Sequence, residues 1–292
     1  MPEGDTIFRA ARTLHRALAG RSVARFESVY PKLTRIDHDK PLAGRTVLSV
    51  TARGKHLLMT FSGDLILHTH MRMNGSWHIY RPRERWRAPR HEMRICVDTA
   101  KYVAVGFNIP VAEFLTSAQL SQHEQIQALG PDLADPDFDR LEVRRRLALL
   151  TTEPLHDVLL NQRVVAGIGN VLKSEVLFVA RINPFMQAGE LGDEAFARLM
   201  DAARRLMDMN TRESTTLPPA FGRRTTGSLD PNAKLYVYGR GGKPCRVCGS
   251  AIEARKTGLD ARLTYWCPIC QPPGQCAIDR AWGSEGRPTT RR

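Results

Sequence analysis

The sequence predicts an α+β protein of several domains: an N-terminal antiparallel β-sandwich with an N-terminal helix, a helical second domain, and a small β-hairpin module. Three observations support this fold class. Short β-type runs separated by turn residues fill positions 21–115. Helical periodicity replaces them over positions 139–210. Two C-x2-C pairs follow, in a chain of 292 residues that is long enough for two domains and a small module.

The expected domain boundaries follow these changes in pattern. We predict an N-terminal domain (1–120), a linker (121–138), a helical domain (139–235), a four-cysteine finger (236–275) and a disordered tail (276–292). The linker contains the turn motifs Gly130-Pro131-Asp132 and Asp135-Pro136-Asp137. The tail is rich in Gly, Pro and Thr, a composition that does not favour a packed core.

The first predicted element is an amphipathic helix close to the N-terminus. Its apolar residues recur at helical spacing: Ile7, Phe8, Ala11, Leu14 and Leu18. Asp5 or Thr6 is available as the N-cap, and Gly20 is expected to end the helix.

The later strands are predicted from short β-type runs separated by turn residues, and the later helices from helical periodicity. Strands are expected at 46–51, 56–61, 65–69, 76–80, 94–97 and 102–105. Helices are expected at 141–150, 154–162, 171–180 and 194–210, and a loop at 211–235.

The charge balance predicts a polyanionic partner. The chain has 43 Lys and Arg against 30 Asp and Glu, a formal net charge of +13. Such an excess favours nucleic acid or an acidic membrane surface. No run of 18 apolar residues predicts a membrane span, and the polar N-terminus lacks the apolar core of a secretory signal. We therefore expect a protein of the reducing cell interior.

Arginines are concentrated in two segments with different expected roles. Arg81, Arg83, Arg85, Arg87, Arg90 and Arg94 lie in one Pro-containing stretch between strands. This stretch is interpreted as a solvated loop, with phosphate contact as the alternative. Arg140, Arg144, Arg145 and Arg146 lie on a predicted helix and are expected to form its solvated face.

Four cysteines have the spacing of a structural zinc site. Cys245, Cys248, Cys267 and Cys270 follow the pattern C-x2-C-x18-C-x2-C. Four thiolates complete a tetrahedral shell around one Zn2+ and leave no open position for catalysis. Cys96 and Cys276 remain; Cys96, in a strand, is interpreted as a small core residue.

The N-terminus offers a reactive amine if Met1 is removed, as is usual before a small residue. Pro2 would then carry a secondary α-amine, whose pKa of about 8 is well below the value of about 10.4 for lysine. Such an amine condenses with a carbonyl to a permanently cationic iminium, which is a good electron sink. Glu3 beside it supplies a carboxylate for proton transfer. An ordinary processed terminus is the alternative interpretation.

A glycine-containing turn joins two predicted helices at Val165-Ala166-Gly167-Ile168-Gly169-Asn170. Glycines allow a ligand to approach the backbone, and the N-terminus of the next helix attracts anions. Asn170 adds a side-chain donor. The segment is either a phosphate-binding site or a tight turn between helices.

These features, in this order, resemble the formamidopyrimidine-DNA glycosylase/endonuclease VIII family of base-excision repair enzymes. The resemblance extends from Pro2 to about Gln271. Besides the start of the chain, its motifs are Arg53-Gly54-Lys55-His56-Leu57-Leu58, Leu159-Leu160-Asn161-Gln162, Ala166-Gly167-Ile168-Gly169-Asn170, Tyr238-Gly239-Arg240 and Tyr265-Trp266-Cys267-Pro268. It implies a helix–two-turn–helix in the helical domain and a β-hairpin zinc finger.

The resemblance also implies a bifunctional DNA glycosylase and abasic-site lyase that acts through a Schiff base on Pro2. Glu3 would act as a proton donor and acceptor. Lys55 and Arg262 would contact phosphate at the lesion and support proton transfer. Gly169 and Asn170 would bind phosphate in the helix–two-turn–helix.

The resemblance further implies that the segment Arg72-Met73-Asn74 forms a wedge that fills the space left by the flipped base, with Met73 as the intercalating side chain. Because Asn74-Gly75 is a pair typical of hairpin turns, Met73 is expected at an exposed tip. The oxidised-purine branch of the family has an Arg-Phe-Gly-type element opposite the lesion, whereas this chain has Val105-Gly106-Phe107-Asn108. The chain therefore resembles the endonuclease VIII branch, which prefers oxidised pyrimidines.

The expected partner is double-stranded DNA with oxidised bases or abasic sites, bound by a monomer in the bacterial cytoplasm, at the nucleoid. No small-molecule cofactor is expected besides the zinc ion. Two alternatives remain: an oxidised-purine glycosylase of the same family, and a non-catalytic zinc-dependent protein that binds damaged DNA. A third and more distant alternative is a zinc-containing fragment that resembles a topoisomerase.

Overall fold

A computed structural model describes residues 2–212, 222–258 and 261–274 of the chain. Met1, whose removal was expected, lies outside these residues, and so do Cys276 and the tail predicted at 276–292. The chain divides into two compact units. The first contains residues up to Phe138 together with Val165–Gly167, and the second contains Asp139–Val164 and the chain from Ile168 onward.

The first unit contains two four-stranded antiparallel sheets and four α-helices among its described residues. In chain order the elements are α1 (Gly4–Leu18), β1 (Val23–Ser28), α2 (Pro31–Asp39), β2 (Val47–Arg53), β3 (His56–Phe61), β4 (Leu65–His70), β5 (Ser76–Tyr80), β6 (Met93–Thr99), β7 (Val103–Phe107), β8 (Val111–Leu115), α3 (Ser117–Ser121) and α4 (Glu124–Gln127). The strand orders are β1-β6-β7-β5 and β2-β3-β4-β8. This is the predicted β-sandwich with an N-terminal helix.

One apolar core joins both sheets to α1. It includes Ile7 and Leu14 of the helix, Leu57 and Leu67 of one sheet, and Ile95 of the other. Each of these side chains is at most 1% exposed. Since burying a large aliphatic side chain contributes about 1.5–3 kcal/mol, this core holds α1 firmly.

Most strand predictions are confirmed within two residues of their ends. The segment 31–39 was included in a β-type region, but it forms α2. Pro31 at the first helical position was the available signal, since proline is favoured there. The segment Met71–Asn74 differs as well. It was interpreted as a hairpin turn, but it connects β4 of one sheet to β5 of the other.

The start of α1 also differs from the sequence interpretation. Glu3 is the N-cap residue, and neither Asp5 nor Thr6 caps the helix. The Gly4 N–H, which a capping side chain could otherwise satisfy, donates to the carbonyl oxygen of Gly167 at 2.9 Å. A distant backbone group therefore replaces the local cap.

The described residues of the second unit form four helices and a hairpin. The elements are α5 (Arg140–Leu147), α6 (Leu155–Val158), α7 (Asn170–Val179), α8 (Asp193–Thr211), β9 (Glu253–Thr257) and β10 (Arg262–Trp266). Strands β9 and β10 pair antiparallel, from Arg262 opposite Thr257 to Trp266 opposite Glu253. The predicted helical domain and β-hairpin finger are thus confirmed as structure.

Helix α6 is much shorter than the predicted helix at 154–162. The Asn161 side-chain oxygen accepts from the Arg163 N–H at 3.0 Å. The Gln162 amide donates to the carbonyl oxygens of Leu160 and Ile168, both at 2.9 Å. These side chains bond the backbone in a non-helical conformation and so end the helix.

Residues 121–138, predicted as a linker, belong to the first unit and include α4. Within the described residues, no helix is both long and apolar enough to cross a membrane.

The contact between Gly4 and Gly167 leaves no space for a side chain. A Cβ on Gly4 would lie 2.6 Å from the Cα atom of Gly167 and 2.9 Å from its oxygen. We expect Gly4→Ala to push the start of α1 outward and to destabilise the first unit by about 1–3 kcal/mol, the usual cost of overpacking. Urea unfolding measures this loss.

The matched control is Gly227→Ala, because a Cβ at Gly227 meets nothing within 4 Å. The control should unfold like the wild type. Equal unfolding midpoints for the two variants would show that the close approach does not contribute to the free energy of unfolding.

Candidate active site and metal centre

Pro2 and Glu3 lie at the start of α1. Pro2 is half-buried and Glu3 is fully buried. The Glu3 carbonyl oxygen accepts from the N–H groups of Thr6 and Ile7 at 2.9 and 3.0 Å, which fixes the backbone before the helix. The α-amine that removal of Met1 would create is therefore attached to a rigid element.

Lys55 lies in the two-residue turn between β2 and β3, where Arg53 pairs with His56. Gly54 precedes it with φ of +57°, in the left-handed region that favours glycine. The Gly54 N–H donates to the Asp132 carboxylate at 2.5 Å. The position of Lys55 is thus set by a bond from the turn to a residue far along the chain.

The segment Val165–Gly167 brings these two parts of the first unit together. A Cβ on Gly54 would lie 3.2 Å from the Ala166 Cβ, and Gly4 contacts the backbone of Gly167. Ala166 is held by Pro131 and Leu133, through bonds of 2.9 and 3.2 Å in which its N–H donates and its oxygen accepts. The start of α1 and the Lys55 turn therefore pack against consecutive residues.

Asp132 is a supporting residue that the sequence reasoning missed. Its carboxylate accepts from the N–H groups of Gly54 and Ala134 at 2.5 and 2.9 Å. Burial raises its pKa, although these two bonds act in the opposite direction. In the sequence, the motif Gly130-Pro131-Asp132 predicts only a turn in the linker and gives no sign that Asp132 supports the Lys55 turn.

The turn that follows β4 exposes the predicted wedge residues. Arg72, Met73 and Asn74 are exposed, with Met73 at 59%, whereas Met71 is buried. The Gly75 N–H closes the turn on the Met71 oxygen at 2.9 Å. The expected exposure of Met73 is confirmed, although the turn is not a hairpin.

A neutral histidine supports this turn. The His70 Nδ1 atom accepts from the Arg72 N–H at 3.0 Å, which requires a free lone pair on that nitrogen. Burial, together with the charges of Arg72 and Lys55, lowers the pKa of His70 to about 4. His70 is therefore uncharged at neutral pH and remains an acceptor.

Phe107 takes part in the core of the first unit. It lies at the end of β7, is 2% exposed, and packs with Tyr80 and Trp86. Asn108 follows with its side chain donating to Glu92 at 2.7 Å, and β8 begins three residues later. The residues between β7 and β8 therefore form only a short connection.

Asn170 is the first residue of α7 in the second unit. It is 5% exposed, and its Oδ1 atom has no hydrogen-bond partner among the residues that the structure describes. Gly169 is the N-cap residue, and its oxygen accepts from the Lys173 N–H at 2.8 Å. A buried amide at a helix N-terminus is suited to an anion, because the helix dipole favours negative charge there.

Two buried charged residues attach α7 to the finger. The Lys173 ammonium group, fully buried, donates to the Thr264 hydroxyl at 2.7 Å and so connects α7 to β10. The Glu175 carboxylate, also fully buried, accepts from the consecutive N–H groups of Tyr236, Val237 and Tyr238 at 2.7–2.8 Å and from the Thr225 hydroxyl. Burial raises the pKa of Glu175, while these four donors oppose the shift.

Arg262 begins β10 and is half-buried. The adjoining turn approaches α6, since a Cβ on Gly258 would lie 2.7 Å from the Asp157 carboxylate. Arg262 and Asn170 thus belong to the second unit, whereas Pro2, Glu3 and Lys55 belong to the first.

The four predicted zinc ligands converge. The Sγ atoms of Cys245, Cys248, Cys267 and Cys270 all lie within 4.8 Å of one another. The Cys248–Cys267 and Cys245–Cys270 pairs are separated by 3.4 and 3.9 Å. These separations fit the sulfur–sulfur distances around a zinc ion with bonds of about 2.3 Å. The cysteines form a site for one structural Zn2+, which confirms the predicted cofactor.

The two groups of arginines behave differently. Those of α5 are all engaged with acidic residues: Arg140 with Asp201, Arg144 with Asp193, and Arg145 and Arg146 with Glu142, at 2.6–3.0 Å. In the loop between β5 and β6, Arg83, Arg85 and Arg87 are exposed.

Three matches to known families cover most of the chain. Residues 1–108 match the formamidopyrimidine-DNA glycosylase N-terminal domain. Residues 129–217 match its H2TH domain, and residues 242–273 match a zinc finger found in these glycosylases and in isoleucyl-tRNA synthetases. The chain belongs to the formamidopyrimidine-DNA glycosylase/endonuclease VIII family. The protein is therefore a DNA glycosylase of the class that also has abasic-site lyase activity.

Individual relatives agree with this assignment. The chain is 42% identical over 274 residues to a probable endonuclease 8 of Streptomyces coelicolor, covering 93% of this chain and 94% of the relative. It is 33% identical to endonuclease 8 of Escherichia coli, covering 93% and 100%. The Fpg protein of Lactococcus lactis in complex with abasic-site DNA has a TM-score of 0.77 at 25% identity, with coverage of 93% and 100%.

The Glu175 carboxylate is expected to be essential to the second unit. Glu175→Gln replaces one acceptor oxygen by an NH2 donor that faces backbone N–H groups. Leaving such buried donors without an acceptor costs about 1–3 kcal/mol, so thermal unfolding should begin at a lower temperature and DNA binding should weaken.

Glu194→Gln is the control, since the Glu194 side chain is 76% exposed and pairs only at the surface with Arg198. Calorimetry compares the two variants. A Glu175→Gln protein as stable as Glu194→Gln would mean that the carboxylate is not an anchor.

Proposed function

We propose that the protein removes oxidised pyrimidines from double-stranded DNA and then cleaves the strand, with Pro2 as the nucleophile. The observation that carries this proposal is the buried start of α1, where the backbone contact between Gly4 and Gly167 fixes Pro2 and Glu3. A nucleophile needs such a fixed position, because a displacement of about 1 Å can cost on the order of 100-fold in rate.

The proposed reaction begins with the Pro2 amine, once Met1 is removed. Its lone pair forms a bond to C1′ of the nucleotide as the N-glycosidic bond breaks, and the departing base takes the bonding electrons and a proton. Glu3 is the proton donor and acceptor for opening the sugar. The product is an iminium between Pro2 and C1′.

Strand cleavage follows from the charge of this iminium. Its cationic nitrogen acidifies the C2′–H bond, so removal of that proton expels the 3′ phosphate by β-elimination. A second proton loss then expels the 5′ phosphate by δ-elimination. Water finally hydrolyses the iminium, which returns the free amine of Pro2 and leaves a one-nucleotide gap.

Four residues are proposed to hold the DNA backbone near the lesion. Lys55 and Arg262 supply positive charge and proton donation, and Gly169 and Asn170 bind phosphate at the N-terminus of α7. The position of Asn170 supports this role, because its side-chain NH2 group is a donor and lies at the N-terminus of α7, where the helix dipole favours an anion. A held backbone lowers the cost of swinging the nucleotide out of the duplex.

The exposed turn Arg72-Met73-Asn74 is proposed to fill the space that the flipped base leaves. Met73 is the intercalating side chain, since an apolar group between base steps stabilises the opened stack. Its exposure of 59% on a turn closed by Gly75 supports this assignment.

The preference for oxidised pyrimidines is proposed from the connection between β7 and β8. Phe107 is buried, and no arginine precedes it in Val105–Asn108. These residues do not offer the Arg-Phe-Gly-type element of the oxidised-purine branch. We further propose that the enzyme acts as a monomer in the bacterial cytoplasm, at the nucleoid, without a small-molecule cofactor.

Borohydride trapping tests the nucleophile. Reduction should link the wild-type protein covalently to a duplex that contains an abasic site. Pro2→Gly leaves a primary and more mobile amine, so the trapping rate should fall by about 100-fold or more, while DNA binding stays within about twofold.

Pro41→Gly, at an exposed position, serves as the control and should trap like the wild type. Undiminished trapping by Pro2→Gly would assign the nucleophile to another amine. Absence of any covalent product from wild-type protein that lacks Met1 would favour a non-catalytic DNA-binding protein.

A lesion panel tests the substrate class. Duplexes with thymine glycol, 5-hydroxycytosine or 8-oxoguanine are incubated with the enzyme under identical single-turnover conditions. We expect cleavage at the two pyrimidine lesions to be at least tenfold faster, a difference of about 1.4 kcal/mol in activation free energy. Faster cleavage at 8-oxoguanine would assign the enzyme to the oxidised-purine branch.

A further inference from the structure

A second cluster of metal-ligating side chains lies in the first unit, on the sheet β2-β3-β4-β8. We name it the His–Glu cluster; it consists of His68 on β4, Glu113 on β8 and His123 just before α4. His68 and Glu113 are directly opposite each other in the pairing of β4 with β8. His123 is brought to the same place as the N-cap residue of α4.

One oxygen atom is shared by both histidines. The Glu113 Oε1 atom lies 2.8 Å from the His68 Nδ1 atom and 3.1 Å from the His123 Nε2 atom. The three ligand atoms all lie within 4.8 Å of one another. This is a convergent set of two nitrogens and one carboxylate oxygen.

The separations are close to those of a metal site. Zinc binds histidine nitrogen at about 2.0–2.1 Å and carboxylate oxygen at about 2.0–2.2 Å, so neighbouring ligand atoms around a tetrahedral ion are about 3.4 Å apart. The distances of 2.8 and 3.1 Å need to increase by about 0.6 and about 0.3 Å to reach this value. A side-chain adjustment of that size requires no movement of the strands.

The second nitrogen of His68 already has the partner that a metal ligand needs. A histidine that binds metal through one nitrogen donates the proton on the other to an acceptor, which fixes the tautomer and the ring orientation. The His68 Nε2 atom lies 2.8 Å from the His56 Nδ1 atom, which accepts this proton when His56 carries its own proton on Nε2. His68 is 1% exposed, so its ring is held rigidly in this orientation.

The cluster is open on its other side. The Glu113 and His123 side chains are 42% and 17% exposed, which leaves access for an ion and for water as a further ligand. The His123 Nδ1 atom is 3.4 Å from the Ile126 N–H, and metal binding through Nε2 would place a proton on Nδ1 and give up this long contact. The loss is small, because a bond of this length is weak.

The ligand set also selects the type of metal. Calcium and magnesium prefer sites made wholly of oxygen ligands, whereas imidazole nitrogens suit zinc, copper, iron and nickel. We propose that His68, Glu113 and His123 bind a divalent transition-metal ion, with Zn2+ as the expected occupant. This site is distinct from the four-cysteine site and ties β4, β8 and the start of α4 together.

The proposal is tested by metal content and by cobalt spectroscopy on the full-length protein. After incubation with excess Zn2+ and dialysis, the wild type should contain two zinc ions per chain, and His123→Gln and Glu113→Gln should each contain one. In a Co2+ titration, intense thiolate charge-transfer bands belong to the four-cysteine site. The second equivalent in the wild type should add only weak bands, and these should be absent from both variants.

His38→Gln is the matched control, since His38 is an exposed histidine beside a carboxylate and should leave two ions bound. Thermal unfolding shows whether each variant is folded. One zinc ion per chain in the wild type would overturn the proposal, as would two ions retained in both folded variants.

Discussion

The arrangement of the first unit depends on the close approach of two backbones, at Gly4 and Gly167. A residue with a Cβ at position 4 would be 2.6 Å from the opposing Cα atom, so the contact exists only because position 4 is glycine. The Gly4 N–H bonds to the Gly167 oxygen, and this satisfies a helix N-terminus that no side chain caps. A terminus that would otherwise fray is thereby attached to a buried segment, and its first residues gain the fixed position that nucleophilic chemistry requires.

The second unit uses buried charge for a comparable purpose. The Glu175 carboxylate gathers three consecutive N–H groups of the chain that leads into the finger, and the Lys173 ammonium group bonds the hairpin through Thr264. Removing a charged group from water is costly unless the group is paired. The Glu175 carboxylate and the Lys173 ammonium group both make short, direct hydrogen bonds. Together with the zinc ligands, they fix the position of the helix that begins at Asn170 relative to the strand that begins at Arg262, within one unit.

The positive charge of the chain is divided between structure and surface. The arginines of α5 are paired with aspartate and glutamate at 2.6–3.0 Å, so their charge is largely compensated locally. Arg83, Arg85 and Arg87 between β5 and β6 are exposed, as is Arg72 on the wedge turn. Arg90 of the same loop pairs with Glu27 at 2.6 Å. Net charge alone predicted a polyanionic partner, but only the structure shows which arginines are paired with acidic residues.

Local patterns were sufficient for several conclusions. The cysteine spacing predicted the zinc site, because ligand type and spacing are set within one short hairpin. Short β-type runs bounded by turn residues predicted the limits of β3 and β5 to the residue. The ordered motifs from Pro2 to the second cysteine pair were specific enough to identify the family.

Contacts between distant segments decided the rest. No local pattern indicated that Asp132 would hold the Lys55 turn, that Gly167 would replace the helix cap, or that Glu175 would bind three backbone groups about sixty residues later. Likewise, β1 and the connection from β4 to β5 depend on which strands pair. The convergence of His68, Glu113 and His123 depends on the register of β4 with β8 and on the placement of α4. Sequence periodicity reports which face of an element is buried, but it carries no information on which partner covers that face; only the tertiary structure supplies that.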